Sequence, residues 1–162
     1  MATIYLGLGS NLEPEINFAL AMRELRRRFD VGAVSGVWRS AALGFSGEDF
    51  LNAVVVARTT LEPEAVCAEL EAIHDLAGRR RGSDAFVSRT LDIDLLLYDD
   101  RVIDRRPVRV PRRDVLEYSF VLGPLAEIAP QLVHPLTGRT IAEHWAEFDA
   151  DAHPISRTEI EL

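Results

Sequence analysis

The run Thr90-Leu91-Asp92-Ile93-Asp94-Leu95-Leu96-Leu97-Tyr98 constrains the fold more than any other part of the chain. It is far too short to span a membrane and reads as a buried strand, where side chains two apart share a face. Asp92 and Asp94 therefore point the same way. Solvent-facing acids at a strand start are common, but the apolar continuation argues against that reading here, because carboxylates entering a buried strand need compensation. The pair suits Mg²⁺, a hard cation that takes oxygen ligands and usually shares them with substrate phosphates. Upstream lie Gly78-Arg79-Arg80-Arg81-Gly82 and Arg89, and guanidinium groups grip phosphate oxygens in a fork geometry. Carboxylates for a metal and arginines for phosphates, so close in sequence, point to Mg-nucleotide chemistry.

The charge balance sharpens this. The net charge is −8, yet all eighteen basic residues are arginine and several cluster around the acidic pair. Arg79, Arg80, Arg81 and Arg89 precede it; Arg105, Arg106, Arg109, Arg112 and Arg113 follow it. An acidic protein with a local basic pocket suits a small phosphorylated ligand and argues against general binding to nucleic acid or to an anionic membrane. With 162 residues and 48% hydrophobic content, one domain over residues 1–162 has enough material for a core. No run reaches membrane-spanning length, and no basic segment precedes an apolar one at the N-terminus, so a cytoplasmic protein is expected. The single Cys67 sits in a helical pattern and reads as small core filler.

Residues 4–8 read as a first strand ended by a tight turn at Gly7-Leu8-Gly9-Ser10. Pro14 opens a helix with Phe18, Met22, Leu25 and Phe29 at helical spacing. Residues 34–38 read as a second strand and 50–57 as a third, after a loop over 40–49. A second helix over 61–77 has Gly78 as its C-terminal cap, a basic loop fills 79–88, and residues 90–98 form the fourth strand. The order β-α-β-β-α-β predicts an α+β, ferredoxin-like sandwich. Residues 99–162, with a short helix at 141–148, form a C-terminal extension expected to pack on the same core, its last ten residues polar and loosely held.

On the third strand Phe50, Asn52, Val54 and Val56 share a face. A lone amide among apolar neighbours must be hydrogen-bonded, since an unpaired one costs about 1–3 kcal/mol. Backbone is one partner, the edge of a ligand another, and Phe50 could stack on a flat ring. Gly7, Gly9 and Ser10 lack the lysine and spacing of a phosphate loop. His134 and His144 have no partners at metal-ligand spacing and read as structural or surface groups.

Five blocks together resemble 6-hydroxymethyl-7,8-dihydropterin pyrophosphokinase. They are Tyr5-Leu6-Gly7-Leu8-Gly9-Ser10-Asn11-Leu12, Phe50-Leu51-Asn52-Ala53-Val54, Gly78-Arg79-Arg80-Arg81, Arg89-Thr90-Leu91-Asp92-Ile93-Asp94-Leu95-Leu96, and the run from Phe120 through Leu122-Gly123-Pro124-Leu125 to Pro130. The resemblance implies transfer of pyrophosphate from ATP to the hydroxymethyl group of the pterin, giving AMP and the pterin diphosphate for folate synthesis. It implies that Asp92 and Asp94 ligate two Mg²⁺ ions and that Arg79, Arg81 and Arg89 act on the phosphates. Leu95, Arg109, Arg112 and Tyr118 fall at ATP-binding positions. Ser40, Ala41, Leu43, Phe50, Asn52, Phe86 and Phe120 fall at pterin-binding positions, with Phe50 and Phe120 sandwiching the ring. A monomer is implied.

The chain departs from the family pattern in places. Val110-Pro111-Arg112 stands where Val-Pro-His is usual, and Tyr118-Ser119-Phe120 where Arg-x-Phe is usual. His74 replaces an acid, and Ser40-Ala41-Ala42 stands for Thr-x-Pro. These changes leave open a second reading, a relative that binds pterin or nucleotide without turnover, and a hypothesis that Arg112 supplies the charge Tyr118 lacks. An RNA-recognition module shares the element order but needs aromatics on the sheet face and a basic surface; the net charge of −8 and the paired acids argue against it.

Overall fold

A computed structural model describes residues 1–41, 49–80 and 91–162, and for residues 79 and 80 the backbone alone. The architecture is mixed, an antiparallel sheet with helices on both faces. Strand β1 (Ala2–Ser10) leads through a short turn to helix α1 (Pro14–Arg28). Proline suits the first turn, and Arg26, Arg27 and Arg28 suit the negative end of the helix dipole. Then come β2 (Asp30–Val34), β3 (Trp38–Ser40), β4 (Phe50–Thr59), α2 (Pro63–Arg80) and β5 (Asp92–Tyr98). A hairpin β6 (Ile103–Arg105) and β7 (Val108–Val110) follows, with α3 (Asp114–Glu117), α4 (Ser119–Ile128), α5 (Ile141–Glu147) and β8 (Ile155–Arg157).

The main sheet runs β5-β1-β4-β3-β8, and β2 also pairs with β4. Alternation sorts its side chains into two sets. Ile4, Leu6 and Leu8 of β1, Leu51, Ala53 and Val55 of β4, and Ile93 and Leu95 of β5 pack with Phe18, Met22 and Leu25 of α1 and Val66, Leu70 and Ile73 of α2. The opposite face meets α3, α4 and α5 through Val54, Leu96, Leu97, Val115, Leu122, Leu125 and Ile141. The C-terminal extension thus builds a second core on the other side of the sheet instead of adding to the first. Among the described residues no helix is long and apolar enough to cross a membrane.

Four further expectations change. The second strand expected at 34–38 falls instead on the break between β2, which ends at Val34, and β3, which begins at Trp38. The Ser35 hydroxyl accepts the Val54 N–H at 2.8 Å and donates to the Gly36 carbonyl at 2.7 Å, so a side chain takes a rung of the ladder. Gly36 also lies under Arg157, where any Cβ would overlap the guanidinium. Gly78 does not cap α2, which continues to Arg80; space around it is open, so glycine there weakens the helix without ending it. Gly7, Gly9 and Ser10 form no tight turn but extend β1, paired with Val54, Asn52 and Leu51. The C-terminal residues are held: β8 pairs with β3, and Ile160 and Leu162 pack against the first core. Cys67 is half-buried at the core's margin, and burial pushes its thiol pKa up.

Candidate active site

A pocket opens on the second face, where α4 does not cover the sheet. Its floor is Gly7 and Gly9 of β1, flanked by Asn52 and Val54 of β4 and by Asp92, Asp94 and Leu96 of β5. Its rim is Ser40, Ala41, Phe50, Asp114, Phe120 and Val121. The register explains the convergence: Gly9 lies opposite both Asn52 and Asp92, and Gly7 opposite both Val54 and Asp94. Space favours glycine at both positions. A Cβ on Gly9 would lie 3.0 Å from Asn52 Oδ1, and one on Gly7 3.3 Å from the Leu96 side chain. The two glycines therefore clear a trough between an amide on one strand and two carboxylates on the next. Sequence reading missed this, although the alternation Ile4, Leu6, Leu8 could have carried the strand through them.

At one end Asn52 is buried and its Nδ2 donates to Ser40 Oγ at 3.3 Å. Its Oδ1 faces the trough beside Gly9. Phe120 lies against Tyr118, ring centroids 5.0 Å apart and stacked, and meets His153 edge-on at 5.6 Å. The Ser119 hydroxyl donates to the His153 carbonyl at 2.6 Å, which fixes the C-terminal segment behind that ring. Tyr118, expected on the nucleotide, is thus engaged with Phe120.

At the other end the carboxylates gather. Burial raises the Asp94 pKa above the usual carboxylate range; the nearby Arg112 charge opposes this, while Asp92 and Asp114 reinforce it. Arg112 Nη1 lies 3.8 Å from Asp94 Oδ1, and its Nε lies 3.6 Å from Asp114 Oδ1. The backbone N–H of Arg112 donates to the Leu96 carbonyl at 2.9 Å, which holds this loop against β5. Asp114, invisible as a site residue in the sequence, joins the cluster only because of that attachment. His74 approaches from α2 and accepts the Ile93 N–H at 2.9 Å.

These donors fit Mg²⁺. Two carboxylates on one open face leave coordination positions for phosphate oxygens and water, the usual arrangement for this ion. A second cation would also relieve the burial cost at Asp94. Among the described residues no group of three or more His, Cys, Asp or Glu side chains is placed to hold a metal ion, so the protein would supply the two carboxylates.

Other expected residues are not brought here. The Leu95 side chain is buried in the opposite core. Arg109 is exposed on β7, 3.5 Å from Asp104 across the hairpin. Leu43, Arg81, Phe86 and Arg89 lie outside the described residues, as does the side chain of Arg79. His134 is buried and structural, accepting the Leu136 N–H.

Acids, an amide and a phenyl ring around one trough do not name a reaction. The comparison with known families does: residues 5–130 match the family described as 7,8-dihydro-6-hydroxymethylpterin-pyrophosphokinase (HPPK). The chain belongs to that family. It is 35% identical to the 2-amino-4-hydroxy-6-hydroxymethyldihydropteridine pyrophosphokinase of Aquifex aeolicus over 88% of this chain and 90% of that one. It is 37% identical to the protein of the same name from Pseudomonas aeruginosa, over 86% and 88%. In fold it is similar to the crystal structure of Plasmodium falciparum HPPK-DHPS wild type, with TM-score 0.72 at 13% identity, covering 90% of this chain. This chain spans 44% of that longer one, and at such identity the likeness concerns fold alone.

Proposed function

We propose that this chain transfers the terminal diphosphate of ATP to the hydroxymethyl oxygen of 6-hydroxymethyl-7,8-dihydropterin, releasing AMP and the pterin diphosphate that folate synthesis uses. The observation that carries the reading is the single trough joining Asn52 to Asp92 and Asp94, in a chain of the HPPK family. Residues 1–162 act as one catalytic unit on a ferredoxin-like frame, with the second strand divided between β2 and β3.

The pterin lies at the Asn52 end. The amide offers donors and an acceptor to its ring edge, Phe50 and Phe120 take its faces, and Ser40 and Ala41 close the rim. The nucleotide lies at the acidic end, with Asp92 and Asp94 as the ligands of two Mg²⁺ ions. When bound, those ions neutralise phosphate oxygens and align the attacking and leaving oxygens. Binding both substrates in one trough would let the pterin hydroxyl approach the β-phosphorus in line, and alignment is most of what such a transfer asks of a protein. Arg112 is held where it can move from Asp94 to a phosphate, supplying the charge that Tyr118 lacks. Arg79, Arg81, Arg89 and Arg109 are further phosphate ligands on this reading, the backbone at Leu95 adjoins the adenosine, and Leu43 and Phe86 complete the pterin site.

The test is Mg²⁺-dependent formation of AMP from ATP, with and without the pterin, in wild type and Asp94→Ala. Pterin-dependent AMP that vanishes in the variant is expected. No AMP from well-folded wild type overturns the enzyme in favour of a binding protein. Unchanged turnover and ATP affinity in Arg112→Ala would remove Arg112 from the scheme.

A further inference from the structure

Strand β5 carries both site carboxylates, yet among the described residues it is the edge of the sheet, with its main-chain ladder to β1. Its pairing is irregular as well. Leu6 lies opposite Leu95 but Tyr5 opposite Leu97, so one extra residue is accommodated just past Asp94. An edge strand with a bulge has weak intrinsic control of where its side chains point. A metal site needs that control to be tight, because groups that orient the ligands govern affinity nearly as much as the ligands do.

The free edge is held at two points on either side of Asp94. Beyond it, the Leu96 carbonyl accepts the Arg112 N–H at 2.9 Å. Before it, the Ile93 N–H donates to His74 Nε2 at 2.9 Å. A backbone amide can only donate, so Nε2 is the bare nitrogen of the ring and Nδ1 carries the proton. Nδ1 lies 3.2 Å from Glu71 Oε1, one turn back on α2, which accepts that proton's hydrogen bond. The imidazole side chain is only 14% exposed, so both of its nitrogens are committed. Ile93 sits between the two aspartates, and its own side chain is buried in the α1/α2 core.

We propose that His74 is a positioning residue for the metal-binding pair: through its hydrogen bond to the Ile93 amide it fixes the edge of β5 so that Asp92 and Asp94 present their carboxylates together to the pocket. Glu71 in turn fixes the tautomer. His74 does not line the trough, and a residue that accepts a hydrogen bond at this atom is what the position requires. This rests on the reading of Asp92 and Asp94 as Mg²⁺ ligands.

The test uses the full chain, with Mn²⁺ and a non-hydrolysable ATP analogue titrated by calorimetry. His74→Gln keeps an acceptor at the reach of Nε2, whereas His74→Met keeps the bulk and removes it. H74M is expected to weaken Mn²⁺-nucleotide binding about tenfold or more, with faster exchange of the Ile93 amide by NMR. H74Q retains wild-type binding and amide protection. Affinity for the pterin alone stays unchanged in both, because Asn52 and Phe50 are on β4. Wild-type Mn²⁺-nucleotide binding in H74M, or equal loss in H74M and H74Q, overturns the proposal. Asp94→Ala alongside separates it from the reading beneath it. If D94A binds Mn²⁺-nucleotide like wild type, the metal reading falls and takes the His74 role with it. If D94A loses binding and H74M does not, only the His74 role falls.

Discussion

The two faces of the central strands were made from alternate residues of the same segments, and they do opposite things. Towards α1 and α2, β1, β4 and β5 present Ile4, Leu6, Leu8, Leu51, Ala53, Val55, Ile93 and Leu95, all closely buried. Towards α4 the same strands bury Val54 and Leu96 in the second core but leave Gly7, Gly9, Asn52, Asp92 and Asp94 around an open pocket. One face is stabilised by removing apolar area from water. The other holds groups whose burial opposes folding, as at Asp94. A sheet with period two lets both exist without compromise, because a change on one face need not disturb the other.

The largest effect should separate the faces most cleanly. Asp94→Asn is expected to lower AMP formation by about a hundredfold or more, since metal charge stabilisation is worth several kcal/mol. The same variant should be at least as stable as wild type at neutral pH without metal. The folded-state pKa of Asp94 is raised, so ionisation above its ordinary value of 3.8 works against the fold, and asparagine removes that opposition. Thermal unfolding in metal-free buffer checks this; a marked loss of stability would break the comparison.

Leu25→Ala is the converse. Leu25 is fully buried behind the strands, and its truncation should cost about 2–5 kcal/mol in denaturant unfolding. The KM for pterin should hold in the folded fraction. Gly9→Val lies on the pocket face, where a Cβ would meet Asn52 Oδ1 at 3.0 Å. The pterin KM should rise about tenfold or more, as crowding by one or two methyl groups typically does, with little change in melting temperature.

A milder effect belongs to buried His134 in the C-terminal extension. Burial, reinforced by His144, lowers the His134 pKa below 6.5. The unfolded chain then binds a proton that the folded chain resists. His134 therefore contributes stability at pH above 6.5 that is lost as pH falls towards its lowered value. His134→Gln should flatten that part of the stability–pH curve. The smallest change is Thr140→Ala. It removes the capping box in which Thr140 Oγ1 accepts the Glu143 N–H at 3.1 Å, for a loss of about 0.5–2 kcal/mol. Activity should not change.

Local signals were readable where one segment carries its own pattern. The strand around Ile93, the strand expected at 50–57 and found at Phe50–Thr59, and the helix from Pro14 follow from local pattern, and so does the common face of Asp92 and Asp94. Expectations went astray where a distant residue decided the outcome. Ser35 divides the second strand only because Val54 is there to donate to it. Gly7 and Gly9 suggest a turn until Asn52 and the aspartates flank them. The polar C-terminal residues suggest loose chain, yet β3 offers an unpaired edge and β8 takes it.

By itself the sequence determined which residues face which side of each element, because side-chain periodicity is fixed by backbone geometry, and it carried the motif blocks of the HPPK family. Only the tertiary structure decided how those faces meet. It set β1 between β4 and β5, so that the Asn52 amide and the carboxylates share one trough. It attached Asp114 and Arg112 to that trough and brought His74 to the Ile93 amide. Those outcomes depend on strand order, register and hydrogen bonds between residues far apart in the chain, and no local pattern specifies them.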